Sequence, residues 1–184
     1  MRETLGVQLV KRRHQATGIR GIKDKPSTNA EWALKPPAIE GVQFREVKNV
    51  ITPTSVVKEG YRTDWGFPTR EIRHLISVTA RPNAILAWHR HAIQTDHVFV
   101  VHGTFRAALY DGREDSPSFQ TVETFMLSHL RPGLLLIPPG VWHGFQNLDG
   151  WEGIYINFFD REYQYDDPDE YKLPYDTDKI PFRF

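Results

Sequence analysis

The sequence predicts an all-β fold, a β-barrel or sandwich of jelly-roll type preceded by an N-terminal arm. Three observations predict it. Short apolar or alternating runs recur at intervals of ~8–12 residues. Turn-forming clusters separate them: Arg81-Pro82-Asn83, His102-Gly103, Asp111-Gly112, Arg131-Pro132-Gly133, Pro138-Pro139-Gly140 and Asp149-Gly150. Thirteen Gly, thirteen Pro and 12% aromatic residues also favour turns and short strands over long helices.

Residues 1–36 are polar, mixed in charge and weakly periodic, and read as an arm that ends at Pro36-Pro37. The barrel domain is expected over residues 37–184. Its predicted strands are Val42–Val50, Val56-Val57, Glu71–Thr79, Ala84–His91, Val98–Val101, Phe105–Tyr110, Thr121–Leu127, Leu134–Ile137 and Gly153–Phe158. The acidic, aromatic tail from Asp160 to Glu170 could form a short helix, which Pro168 disfavours. Leu173-Pro174-Tyr175-Asp176 is expected to pack across the barrel, and the run Asp166–Glu170 to be a solvated surface.

Composition narrows the function. The formal net charge is 0, so no basic field points to nucleic acid. No cysteine is present, so any metal ligands must be His and carboxylates. No run nears the ~18 apolar residues of a membrane span, and no apolar stretch of a signal peptide is visible. These readings predict a soluble, cytoplasmic protein with a small-molecule substrate, no nucleic-acid partner and no membrane. A homodimer is expected, since barrels commonly hide sheet edges by pairing.

The chemistry concentrates in one constellation. His89 and His91 are two apart, so a strand would project both to one face. Asp96 follows a short loop, and a hairpin could return it to the same wall. Pro138-Pro139-Gly140 turns the chain before His143. Three imidazoles and a carboxylate can hold a divalent transition metal (Zn, Mn, Fe, Ni or Cu) with positions left open. No organic cofactor is indicated.

The segment Asn83–Gly103 resembles the first signature of the cupin superfamily, with Asn83 in place of Gly and Asp96 in place of Glu. Gly133–Asn147 resembles the second, one residue shorter between Gly133 and Pro138. The resemblance implies a cupin jelly-roll β-barrel with His89, His91, Asp96 and His143 as metal ligands.

A narrower resemblance overlaps it. Asp111–Phe119, Ile137–Phe145, Tyr155 and the run Asp176–Phe182 are similar in order and spacing to dTDP-4-dehydrorhamnose 3,5-epimerases. In that family a His paired with an Asp removes a proton beside a sugar ketone, and a Tyr on the opposite face returns one. The resemblance implies His89 as base, Asp176 as its partner and Tyr155 as acid. Three positions depart from the family: Leu86 replaces an Arg that grips the diphosphate, Asp96 replaces a Lys, and His91 replaces a Gln.

Three readings therefore stand open. The first is an epimerase acting on a nucleotide-linked keto sugar or related carbonyl compound, carried by His89, Asp176 and Tyr155. The second is a metal-dependent cupin oxygenase or similar enzyme, in which His89 is a ligand and not a free base. The third is a non-catalytic sugar-binding cupin. Arg106 and Arg113 could hold phosphates, although Arg113 reads better as a turn residue paired with Asp111 or Asp115. Arg90 should face outward, His97 and His102 should lie at a surface or interface, and His74 and His129 show no pattern.

Overall fold

The computed structural model describes residues 28–68 and 71–184, with Lys23 and Pro26. Contacts group the chain into two units, Met1–Lys35 and Pro36–Phe184. Most of the predicted arm lies outside the described residues. Within its described part, the Asn29 side-chain oxygen accepts from the backbone N–H groups of Glu31 and Ala33 and closes a turn.

The strands of the second unit, in chain order, are β1 (Gln43–Glu46), β2 (Val50–Ile51), β3 (Val56–Val57), β4 (His74–Ala80), β5 (Ile85–Arg90) and β6 (Asp96–His102). They continue as β7 (Thr104–Asp111), β8 (Val122–Ser128), β9 (Gly133–Ile137), β10 (Val141–Asn147), β11 (Gly153–Phe159) and β12 (Tyr171–Lys172). Two five-stranded sheets form, ordered β1-β9-β6-β11-β4 and β12-β5-β10-β7-β8, and β2 pairs with β3 in a separate ribbon. All recorded pairings are antiparallel. This is the predicted all-β, jelly-roll class. The tail from 160 to 170 forms no helix; bends lead into β12 instead. A strand at 141–147 was not foreseen, because Gly144 and the polar residues His143, Gln146 and Asn147 hide its alternation.

Apolar residues of both sheets meet between them: Val98, Val100, Leu135, Phe105, Leu109 and Phe145 are all buried in one cluster. The first sheet is also covered outside, which explains His97. That residue was expected at a surface or interface but is fully buried within the chain. It points out of the barrel, where the rings of Tyr61 and Phe67 lie against it at 6.2 Å each.

Buried Asp111 closes the β7–β8 turn. Its carboxylate accepts from Arg113 Nε at 2.7 Å and from the Ser116 and Ser118 hydroxyls at 2.6 Å each. Burial alone would raise this carboxyl, yet the Arg113 and serine donors hold it well below the usual range. Arg113 also donates to the Glu40 carbonyl, so it is the turn residue and is not free to grip phosphate.

A second apolar cluster lies on the outer face of the other sheet. Trp88, Ala108 and Ile180 form it, with Trp142, Leu173, Phe182 and Phe184 packed around them. Arg106 points to this side, donating to Gln146 and lying over the Phe182 ring at 5.7 Å, so it too is no phosphate ligand of the interior.

The pairing of β5 with β10 carries an irregularity. His143 opposes His89 and Phe145 opposes Leu86, so two steps on β10 span three on β5. The extra residue is a bulge. Leu86 packs in the inner cluster, while Ala87 and Trp88 both join the outer one. Alternation then resumes with His89 inside. Gly144 makes room for the bulge: a Cβ there would lie 2.3 Å from the Ala87 Cβ and 2.9 Å from Phe184. We expect Gly144→Ala to lose at least about 2 kcal/mol in urea unfolding through this overpacking; unchanged stability would show that the bulge does not need the glycine.

Candidate active site

Strand alternation delivers the lining of one cavity of about 440 Å³ between the sheets. β11 sends in Tyr155, Asn157 and Phe159, and β4 sends in His74, Ile76 and Val78. From the facing sheet come Leu86, His89, His143 and Phe145, with His91 just past β5. Asp96, at the start of β6, Glu170, just before β12, and Gln94 add polar groups, and Tyr163 and Tyr165 of the tail also line the cavity.

The route of Asp96 differs from the expected hairpin. β5 and β6 belong to different sheets, so residues 91–95 form a crossover. Asp96 therefore faces the histidines across the interior. Its Oδ2 lies 3.1 Å from His143 Nε2 and 3.6 Å from His91 Nε2, and its Oδ1 accepts from Gln94 Nε2 at 2.9 Å. Burial would raise this carboxyl, but the hydrogen bond and charge of His143, the charge of His91 and the Gln94 amide hold it at about 2. Both rings turn Nδ1 away: His143 onto the Val141 carbonyl at 3.1 Å, His91 onto the Asp169 carbonyl. One ligand atom from each of His91, Asp96 and His143 lies within 4.8 Å of the others.

His89 stands apart from this trio. Its ring stacks on His143 at 6.1 Å, and its Nδ1 pairs with Glu170 Oε1 at 3.0 Å. Burial lowers the His89 pKa more than the Glu170 contact raises it. Glu170 would be raised by burial, but bonds from His89 and Lys172 keep it ionised. A neutral ring that donates from Nδ1 to a carboxylate keeps an unprotonated Nε2.

The partner predicted for His89 was Asp176, and here the structure corrects the sequence. β12 runs antiparallel to β5, with Tyr171 opposite Arg90 and Lys172 opposite His89. Leu173 continues by bonding to Trp88. Each further tail residue moves away from the histidines, which leaves Asp176 exposed. The residue preceding β12 reaches the ring instead. Asp169 and Glu170 were also read as solvated surface; both are half-buried and hold site histidines. No local signal could have found them, since their partners lie about eighty positions away.

Tyr155 faces the histidines from the opposite sheet. It is 7% exposed, and burial followed by the Asp96 charge pushes its phenol well above the ordinary value. The phenol therefore keeps its proton. His74, which had no readable pattern, lines the same cavity against Phe159, with a buried Nδ1 that lacks a hydrogen-bond partner. Arg90 faces outward as expected, 4.1 Å from the Tyr171 ring and 5.4 Å from that of Trp142.

A jelly-roll barrel with a carboxylate-backed imidazole on one wall and a buried phenol on the other has the parts of a proton-transfer enzyme. A family profile described as dTDP-4-dehydrorhamnose 3,5-epimerase matches residues 58–182. The probable low-salt glycan biosynthesis epimerase Agl13 of Haloferax volcanii is 32% identical over 141 residues, which cover 76% of this chain and 90% of that one. The spore coat polysaccharide biosynthesis protein SpsL of Bacillus subtilis is 37% identical over 103 residues, 56% of this chain and 68% of that one. The crystal structure of a dTDP sugar isomerase from Desulfovibrio desulfuricans superposes with a TM-score of 0.73 at 28% identity, covering 78% of this chain and 90% of the other. The chain belongs to the dTDP-4-dehydrorhamnose 3,5-epimerase family, a family of isomerases.

Proposed function

We propose that this chain epimerises a nucleotide-linked keto sugar at a carbon beside the ketone, with His89 as base, Glu170 behind it and Tyr155 as acid. The observation that carries the reading is the placement of His89 and Tyr155 on facing sheets around one cavity. His89 Nε2 accepts the C–H proton, and the electron pair passes into the carbonyl as an enolate. Tyr155 Oη–H then protonates the opposite face, which inverts the centre. The raised phenol makes its phenolate a strong base, so exchange with solvent resets both groups. Glu170 fixes the tautomer and stabilises the imidazolium that forms. Family membership favours this reading over an oxygenase or a non-catalytic binder.

A specific observation supports a second element at the same site. His91 and His143 anchor Nδ1 on backbone carbonyls and turn Nε2 onto Asp96 Oδ2. Ligating histidines are commonly tied through their other nitrogen in this way. We propose that His91, Asp96 and His143 hold a divalent transition metal (Zn, Mn, Fe, Ni or Cu), with no organic cofactor. His89 is left out of the set, because Glu170 holds it as the base. A cation there would supply Lewis-acid polarisation of the substrate ketone. It would replace the positive charge that the family places where Asp96 stands.

We also propose a cytoplasmic homodimer. Among the described residues no helix is long and apolar enough to cross a membrane, and the absence of cysteine is compatible with a reducing compartment. The edge strand β4 exposes Leu75, and the ribbon exposes Val50, Ile51, Val56 and Val57. A second copy of the chain could cover these surfaces.

Solvent deuterium is expected to enter a dTDP-linked 4-keto-6-deoxy sugar, with His89→Ala abolishing exchange and Tyr155→Phe slowing inversion by about 10²–10⁴-fold. No exchange across a panel of nucleotide-linked keto sugars would retire the epimerase reading. Elemental analysis should find close to one transition metal per chain and its loss in His143→Ala; only traces after reconstitution would remove the metal. Sedimentation should give a dimer that Ile51→Lys weakens, and a monomer at micromolar concentration would contradict it.

A further inference from the structure

We propose that Asp169 is a positioning residue of this site, fixing the orientation of His91 and the crossover that carries Asp96. Its carboxylate accepts three consecutive backbone N–H groups: Ala92 at 2.8 Å, and Ile93 and Gln94 at 2.9 Å each. Its own carbonyl accepts from His91 Nδ1. The inference rests on the reading of His91 and Asp96 as parts of the reaction site.

Gly140 N–H donates to the His91 carbonyl at 2.7 Å and Arg161 Nε to the Ile93 carbonyl at 3.3 Å, but Asp169 alone holds three of the crossover's N–H groups. Residues 91–95 lie outside both sheets, and Ile93 at their centre is exposed. Yet both ends bear on the cavity, with His91 at one and Asp96 just past the other. Gln94, whose N–H is held by Asp169, is the residue whose side chain donates to Asp96 Oδ1. Asp160 Oδ1 accepts from Thr95 N at 3.0 Å and secures only the far end.

The consequence for His91 is a single tautomer. A carbonyl oxygen can only accept, so Nδ1 carries a proton, and Nε2 is the nitrogen turned toward Asp96. The carbonyl stays in place because the same residue's side chain is locked to the loop. Glu170, the next residue, does the equivalent for His89 through Nδ1. Two neighbouring residues thus set two histidine tautomers, one by main chain and one by side chain. An asparagine could not substitute at position 169, since its amide nitrogen would face backbone N–H donors.

The test uses full-length protein and Asp169→Asn, with Asp169→Glu as a second variant that keeps the charge should the first fail to fold. Imidazole ¹⁵N spectra, recorded after a chelator wash, report the tautomers. In folded Asp169→Asn, His91 is expected to pass from one Nδ1–H form to a mixture, while His143, anchored on Val141, stays fixed. Deuterium exchange into the keto sugar should lose about 10–100-fold in kcat, the scale of lost supporting contacts, with KM changed less than about threefold. Either an unaltered His91 spectrum or equal changes at His91 and His143 would overturn the proposal, the latter because it signals general loosening. Absence of exchange in the unsubstituted protein would fell the epimerase reading, while the ¹⁵N result would still decide the role of Asp169.

Discussion

One extra residue in β5 decides which side chains see the cavity. A regular strand that placed Leu86 inward would also place Trp88 inward and His89 outward. The bulge against Gly144 interrupts that alternation, so Ala87 and Trp88 share the outer face and His89 and His91 return to the interior. The glycine on β10 is the condition for it, since any Cβ there would occupy the space of Ala87. Bulges beside active sites commonly re-aim a side chain, and here two are re-aimed at once.

Facing sheets then do what a single sheet could not. A base and an acid must act on opposite faces of a planar enolate, and side chains from one wall reach only one face. β5 supplies His89 and β11 supplies Tyr155 from across the interior. The same geometry brings Asp96 from β6 to His143 on β10. Two contact sets form among the interior polar groups, His89 with Glu170 and Asp96 with His91 and His143. Asp96 reaches its histidines from the opposite sheet, whereas Glu170 reaches His89 from the neighbouring edge of the same sheet.

Much of this was legible in the sequence because it depends on local rules. Period-two spacing put His89 and His91 on one face, the Pro-Pro-Gly turn delivered His143, and punctuation by glycine and proline marked an all-β fold. Resemblance added Tyr155, which no spacing rule would have singled out. What stayed hidden depends on contacts distant in the chain. Glu170 looked like surface because acidic runs are usually solvated, and its contact with His89 spans 81 positions. Asp176 looked right by order along the chain, but the direction of β12 carries it away. His97 was misplaced because its cover comes from Tyr61 and Phe67, which no strand pattern connects to it.

Arg90 turns its back on the chemistry and yet bears on it. Its guanidinium is stacked with Trp142 of the sheet and Tyr171 of the tail, so it rivets the tail to the outside of β5. The residue beside Tyr171 is Glu170, which reaches round the edge to His89. Together with the backbone pairing of β12 to β5, a cation on the barrel's exterior thus helps fix the tail that presents a carboxylate to the cavity. One strand, β5, carries the cation on its outer face and the base on its inner one.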